Sequence, residues 1–145
     1  MKYVWALIGS LSLLIGSMTI SSANTEELTK IQKSDSDSGI TITLNDYEKS
    51  SDYLTIHYTV TSKSKLEGDK LGQPFLDRPT LHINQKFLNT SLQEKIQKVG
   101  DNKYTGYLSI KLKDDMKADH FNLSFKTNRI SNQNGTWKID FDLNP

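Results

Sequence analysis

The chain contains no cysteine in its 145 residues. This absence excludes disulfides, thiolate metal sites, a cysteine nucleophile and the acylated cysteine of a lipoprotein. An exported domain built from this sequence therefore has to be stabilised by its hydrophobic core alone, which is feasible near a hundred residues. Net charge is also scarce. The formal value of +1 leaves no electrostatic footprint for dedicated nucleic-acid binding. What charge there is lies unevenly, with seven acids and three bases over residues 24–61 against twelve bases and eight acids over 62–126. The excess is spread over so many positions that it describes a solvated mixed surface.

Catalytic signatures are missing as well. No Gly-x-Ser-x-Gly, phosphate loop or dinucleotide fingerprint occurs. His57, His82 and His120 fall on three different predicted strands without a His-x-His or His-x-x-x-His pair, so they read as solvated sheet histidines rather than metal ligands. Asp114 with Asp115, and Asp140 with Asp142, are the carboxylate pairs that could suggest hydrolysis. Nothing in the sequence would separate their pKa values, as an acid and a base require. Residues 34–39 (SDSDSG) resemble the opening of a calcium loop, but Ile40 occupies the sixth position, which needs glycine, and no glutamate stands at the twelfth. A solvated turn leading into the first strand is the expected reading. Three Asn-x-Ser/Thr triplets, at Asn89, Asn122 and Asn134, would matter only in a eukaryotic host. The expectation is a protein with no metal, no cofactor and no catalytic residues.

Met1 and Lys2 precede an uncharged, mostly apolar run over residues 3–20, and Ser21-Ser22-Ala23 offers small residues ahead of a cut before Asn24. Those eighteen residues would reach roughly 27 Å as a helix, just short of a hydrocarbon core of about 30 Å, so a cleaved signal and an uncleaved membrane anchor both stand open. Both readings export the domain. Residues 24–38 are polar and read as a linker, with Asn24 or Thr25 able to cap a short helical turn carrying Leu28 and Ile31.

The strongest pattern in the chain is residues 39–62. Ile40, Ile42 and Leu44 alternate with Thr41, Thr43 and Asn45, and Leu54, Ile56, Tyr58 and Val60 alternate with Thr55, His57, Thr59 and Thr61. The two strands should fold back through the polar segment 48–52 as an antiparallel hairpin. A lone hairpin is marginal in water, so a second apolar surface must cover it. Residues 63–78 form a long aperiodic loop in which Phe75 and Leu76 tuck under the sandwich edge. Its functional reading is a recognition loop, with Gln73, Phe75, Leu76, Asp77 and Arg78 as candidate ligand-contacting residues.

A strand is predicted over 80–84 after Pro79, with Leu81 and Ile83 inward and His82 outward, returning through Phe87 and Leu88 after a turn near Asn84-Gln85. Residues 91–99 fit a helical stripe or a bulged strand, and strand is favoured because Gly100-Asp101-Asn102-Lys103 makes a hairpin turn into 104–112. Gly106 within that strand implies a bulge or a close backbone approach. Residues 113–119 are a charged crossover with Met116 and Ala118 dipping toward the core. Two last strands follow over 120–126 and 136–143, joined by a turn within 131–135, and they bring Phe121, Phe125, Trp137 and Phe141 to cover the first hairpin. The sum is an all-β antiparallel sandwich of immunoglobulin type, with about seven strands. In domain terms, residues 1–23 are signal or anchor, 24–38 linker and 39–145 sandwich.

The order Gly39-Ile40-Thr41-Ile42-Thr43-Leu44, Leu54-Thr55-Ile56-His57-Tyr58, Phe121-Asn122-Leu123-Ser124-Phe125, Ile130 and Gly135-Thr136-Trp137-Lys138-Ile139 resembles an immunoglobulin-like ectodomain family of low-GC Gram-positive bacteria. That family is best known from the extracellular side of single-pass membrane proteins described as negative effectors of extracytoplasmic-function sigma factors. The resemblance implies a sandwich outside the membrane and brings no catalytic residues with it. It departs from those proteins ahead of the apolar run, where two residues leave no room for a sigma-binding region, so a free-standing exported copy of the sensor-type domain is expected. The function expected is a non-enzymatic binding module, secreted or anchored in the cell envelope, whose partner is an envelope protein or cell-wall ligand. A structural subunit of the cell surface and an unfamiliar envelope enzyme are the alternatives, and the oligomeric state is not legible.

Overall fold

The computed structural model describes residues 28–67, 74–88, 92–114 and 120–143. Among these the strands are β1 (Thr29–Asp37), β2 (Ile40–Lys49), β3 (Tyr53–Ser62), β4 (Thr80–Ile83), β5 (Lys86–Phe87), β6 (Leu92–Gly100), β7 (Lys103–Lys111), β8 (Phe121–Ile130) and β9 (Gln133–Leu143). One antiparallel sheet has the order β1-β2-β3-β7-β6 and the other β5-β4-β8-β9. Setting β1 aside, the first sheet is the A-B-E-D sheet of an immunoglobulin sandwich and the second its C′-C-F-G sheet, with the chain changing sheets after β3, β5 and β7. All-β sandwich, as the alternation predicts, is the fold.

Period-two patterning sets both faces. Ile40, Ile42, Leu44, Leu54, Ile56, Tyr58 and Val60 of the first hairpin are buried, and so are Phe121, Leu123, Phe125, Trp137, Ile139 and Phe141 of the last one, in one continuous cluster. Tyr47 meets Phe141 with ring centroids 6.4 Å apart, and Trp137 Nε1 donates to Ile40 O at 3.0 Å. Neither hairpin could exclude water alone; together they bury each other's apolar face.

Thr29–Asp37 corrects the linker boundary, because it is an edge strand of the domain itself. The Ser-Asp alternation that resembles a calcium loop is a strand pattern. On the outer face Ser34 and Ser36 share hydrogen bonds with Thr43 and Thr41, at 2.7 and 2.6 Å. On the inner face the Asp35 carboxylate accepts from Lys138 N at 2.7 Å and the Asp37 carboxylate from Thr136 N at 2.6 Å, while Lys33 Nζ donates to Asp140 O at 2.9 Å. These bonds occupy the outer edge of β9, where backbone groups would otherwise seek a partner strand. A polar segment thus closes one side of the sandwich by side-chain to backbone bonding rather than by apolar burial. Ile31 alone packs against the core from this strand, and Leu28 just before it is exposed. The candidate cap at Asn24 or Thr25 lies outside the described residues.

Other local expectations resolve. Residues 92–100 are strand, with a register shift between Lys98 and Gly100. Gly106 marks a close approach rather than a bulge, since its pairing with β3 runs without a shift and a Cβ there would sit 2.5 Å from Lys95 O and 2.7 Å from the Tyr58 hydroxyl. The last hairpin turns more tightly than expected. Ile130 pairs with Gln133, so the turn is Ser131-Asn132, and Gly135 belongs to β9, where a Cβ would meet the Trp137 ring at 2.5 Å. Glycine stands there for the indole rather than for the turn. Met116 and Ala118 lie outside the described residues.

Candidate functional site

The strands fix two ends. Leu28 lies beside the β2–β3 turn, and the segment after β3 leaves from the opposite end, next to the β1–β2 and β8–β9 turns. Of the five residues predicted to contact a ligand there, Gln73 lies outside the described residues. Phe75 and Leu76 are buried, which rules them out as ligand contacts on the folded surface and agrees with their tucking under the edge. Phe75 stacks on Tyr104 at 4.8 Å, its carbonyl accepts from Ser131 N, and Leu76 bridges to Ile130. Asp77 N donates to Arg129 O at 3.0 Å, and the two side chains form an ion pair at 3.5 Å. Residues 75–77 therefore run along the end of β8 as a lining of the sheet. Arg78, exposed and with φ of 41°, remains the solvent-facing member of the set.

Among the described residues, three surface hollows open to solvent bear on function. One, of about 570 Å³, lies at the β1–β2 turn between Ser36, Asp37, Lys63 and their neighbours. A second, of about 320 Å³, lies on the outer face of the larger sheet beside His57 and Lys95. There His57 Nδ1 is 2.6 Å from Asp46 Oδ1, and the imidazole meets Tyr107 edge-on at 6.2 Å. The third, of about 460 Å³, runs over the outer face of the smaller sheet and is lined by His82, Gln85, Asn122, Ser124, Lys126, Lys138 and Asp140.

In the third hollow strand register assembles several kinds of polar group. Phe87 pairs with His82, His82 with Ser124, and Ser124 with Asp140, giving one row across four strands. The neighbouring row is Thr80, Lys126 and Lys138. His82 and Phe87 meet edge to face at 5.6 Å, and Phe87 is 57% exposed. Asp140 is held below the usual carboxylate range, first by the Ser124 hydroxyl and then by the Lys138 ammonium, 3.3 Å away, with Lys33 adding to it. Asn122 Nδ2 donates to Asp142 at 2.8 Å beside it. The outward positions of His82, Asp140 and Asp142 are legible from alternation. Their assembly with Phe87, Ser124, Lys126 and Lys138 depends on which strands neighbour which, and that is invisible in one sequence.

Buried polar chemistry sits elsewhere. Tyr58 lies across Gly106 and donates to Glu94 Oε1 at 2.6 Å; burial, with the Glu94 charge and hydrogen bond, pushes its phenol far above its ordinary value. Among the described residues no group of three or more His, Cys, Asp or Glu side chains could hold a metal ion, and His57, His82 and His120 are well separated on the fold. Asp115 lies outside the described residues.

No family model and no curated protein matches the chain. Among solved structures, the crystal structure of a conserved domain protein from Bacillus anthracis superposes with a TM-score of 0.65 at 22% identity, over 84% of this chain. The likeness is one of fold. The chain spans 44% of the length of that protein.

Proposed function

We propose that the protein is an exported, non-enzymatic binding module of the bacterial cell envelope. The observation that carries this reading is the outer face of the β5-β4-β8-β9 sheet. It presents an imidazole, two amides, a hydroxyl, two ammonium groups and a carboxylate in one open groove, on strands whose opposite faces are locked in the core. Groups displayed in this way bind by hydrogen bonding and charge from a rigid platform. The apolar segment over residues 3–20 and its likeness to a secretory signal support export, and the resemblance of the strand pattern to sigma-factor-associated ectodomains supports the outer face of a Gram-positive membrane. On this reading the domain is a free-standing sensor-type sandwich, and its partner is an envelope protein or a wall polymer.

Co-sedimentation of the purified full chain with isolated cell envelopes of a low-GC Gram-positive bacterium, wall and membrane together, tests it. Saturable retention without release of soluble wall fragments is expected. Absence of retention, or steady release of fragments, would overturn the reading.

A further inference from the structure

We propose that the groove on the β5-β4-β8-β9 sheet binds an anionic glycopolymer, with a sugar ring on the Phe87–His82 platform and a phosphate or carboxylate between Lys126 and Lys138. The proposal rests on the reading of the domain as a binding module and names the ligand chemistry of its groove. Three observations carry it.

The first is the aromatic platform. Among the described residues Phe87 is the exposed large apolar side chain of this sheet, and its edge-to-face contact with His82 sets the ring beside the groove that His82 lines. A pyranose has one face of C–H groups and a rim of hydroxyls, so it suits an exposed ring bordered by hydrogen-bonding groups. Gln85 and Asn122 supply amides that donate and accept, Ser124 a hydroxyl, and Asp140 a carboxylate that is already ionised at neutral pH.

The second is charge. Lys126 and Lys138 stand directly opposite each other in the β8–β9 register. Like charges in that position disfavour the pairing. Asp140, 3.3 Å from Lys138, offsets one of the two ammonium groups, and an anion lying between the strands would offset the other. The third is shape. The row Phe87, His82, Ser124, Asp140 covers three interstrand steps, roughly 14 Å, across an open surface. That geometry suits a chain passing over the sheet better than a small molecule. A nucleic-acid strand needs positive charge repeated along its length, and here the two lysines share one row.

Titration calorimetry on the full chain at low salt tests the proposal with four probes: tetragalacturonate, a phosphodiester-linked tetramer of glucose 1-phosphate, maltotetraose and an eight-residue oligothymidylate. One of the two anionic probes should bind at least tenfold tighter than neutral maltotetraose, and which one distinguishes carboxylate from phosphate as the anion. Phe87→Ala and Lys126→Ala should each weaken that binding at least fivefold with melting temperatures not lowered, and Val99→Ala, on the other sheet, should leave it as it was. The proposal is overturned if neither anionic probe binds, if maltotetraose or the oligothymidylate binds as well, or if the Phe87 and Lys126 variants bind like the parent. Retention on cell envelopes separates this outcome from failure of the broader reading. Retention that persists in both groove variants removes the groove and leaves the binding module standing, whereas a parent chain that is not retained removes both.

Discussion

The Trp137 indole donates its Nε1 hydrogen to the Ile40 carbonyl at 3.0 Å, tying the last strand of one sheet to the first residue of the central hairpin in the other. Both residues are buried, so the bond forms where water cannot replace it. It joins the two halves of the core at the end where β1 turns into β2 and where Gly135 leaves room for the indole ring. Trp137→Phe should therefore destabilise the fold by about 2–4 kcal/mol, combining the lost indole volume with an unsatisfied carbonyl. Urea unfolding measures it, and a loss under about 1 kcal/mol would show that the indole is not the tie described.

Gly106 is the gap through which the other sheet accommodates Tyr58. A methyl group there would meet Lys95 O at 2.5 Å, and backbone cannot swing aside as a side-chain terminus can. Gly106→Ala should cost about 1–3 kcal/mol through overpacking. Tyr58→Phe removes the hydroxyl at 2.7 Å but leaves the clash with Lys95 O, so Gly106→Ala should cost nearly as much in a Tyr58→Phe background as in the parent. A Gly106→Ala change without cost in that background would place the obstruction at the hydroxyl instead.

Tyr58 also gives the fold a dependence on alkaline pH. Its phenol, fully buried and bonded to Glu94, is pushed far above the ordinary value of about 10, first by burial and then by the carboxylate. A group raised in the folded state contributes stability that is whole below its unfolded pKa and is lost as pH climbs past it. Tyr58 should thus remove up to about 1.4 kcal/mol per pH unit above roughly pH 10, because only the unfolded chain releases that proton. Tyr58→Phe should cost about 1–2 kcal/mol at neutral pH and show a shallower fall in stability between pH 10 and 11. Parallel slopes for parent and variant would contradict the assignment.

The central hairpin, the late aromatic strands and the sandwich were legible because each carries apolar side chains at period two, and that period states which face is buried. Gly106 was legible as a peculiarity, since a glycine inside a strand pattern has few reasons to be there, but its partner Tyr58 was not. The edge strand β1 escaped because its pattern alternates serine with aspartate: every method of finding strands by hydrophobic period is blind to a strand whose inner face is ionic. The groove escaped for another reason. Phe87, Ser124, Lys126 and Lys138 are distant in sequence and ordinary as types, and only the order β5-β4-β8-β9 makes them neighbours. Phe75 and Leu76 show the reverse case, in which two apolar residues in a long loop suggested both a contact surface and a plug, and burial decided for the plug.

The ionic edge is itself testable through acid. Asp37 is held below the usual carboxylate range chiefly by the Thr136 N–H it accepts; desolvation opposes this, and the Ser38 hydroxyl and N–H add smaller lowering effects. A depressed carboxylate contributes stability that is present above its unfolded pKa, about 3.9, and is lost as pH falls through its folded value. Asp35 makes the same kind of bond to Lys138 N one repeat earlier. Acidification should therefore release the Asp37–Thr136 bond of the β1–β9 seam before the core, because that bond depends on an ionised carboxylate while Trp137, Ile139 and Phe141 on the same strand depend on burial. Amide hydrogen exchange reads the difference: below about pH 4 the protection of Thr136 should fall while that of the core amides of β3 persists. Asp37→Ala should reproduce the loss at Thr136 at neutral pH, and Asp37→Asn, whose amide oxygen can still accept the bond, should retain protection at Thr136 and remove its acid sensitivity. Equal loss of protection in β3 and β9 on acidification would mean that the edge strand and the core open as one unit.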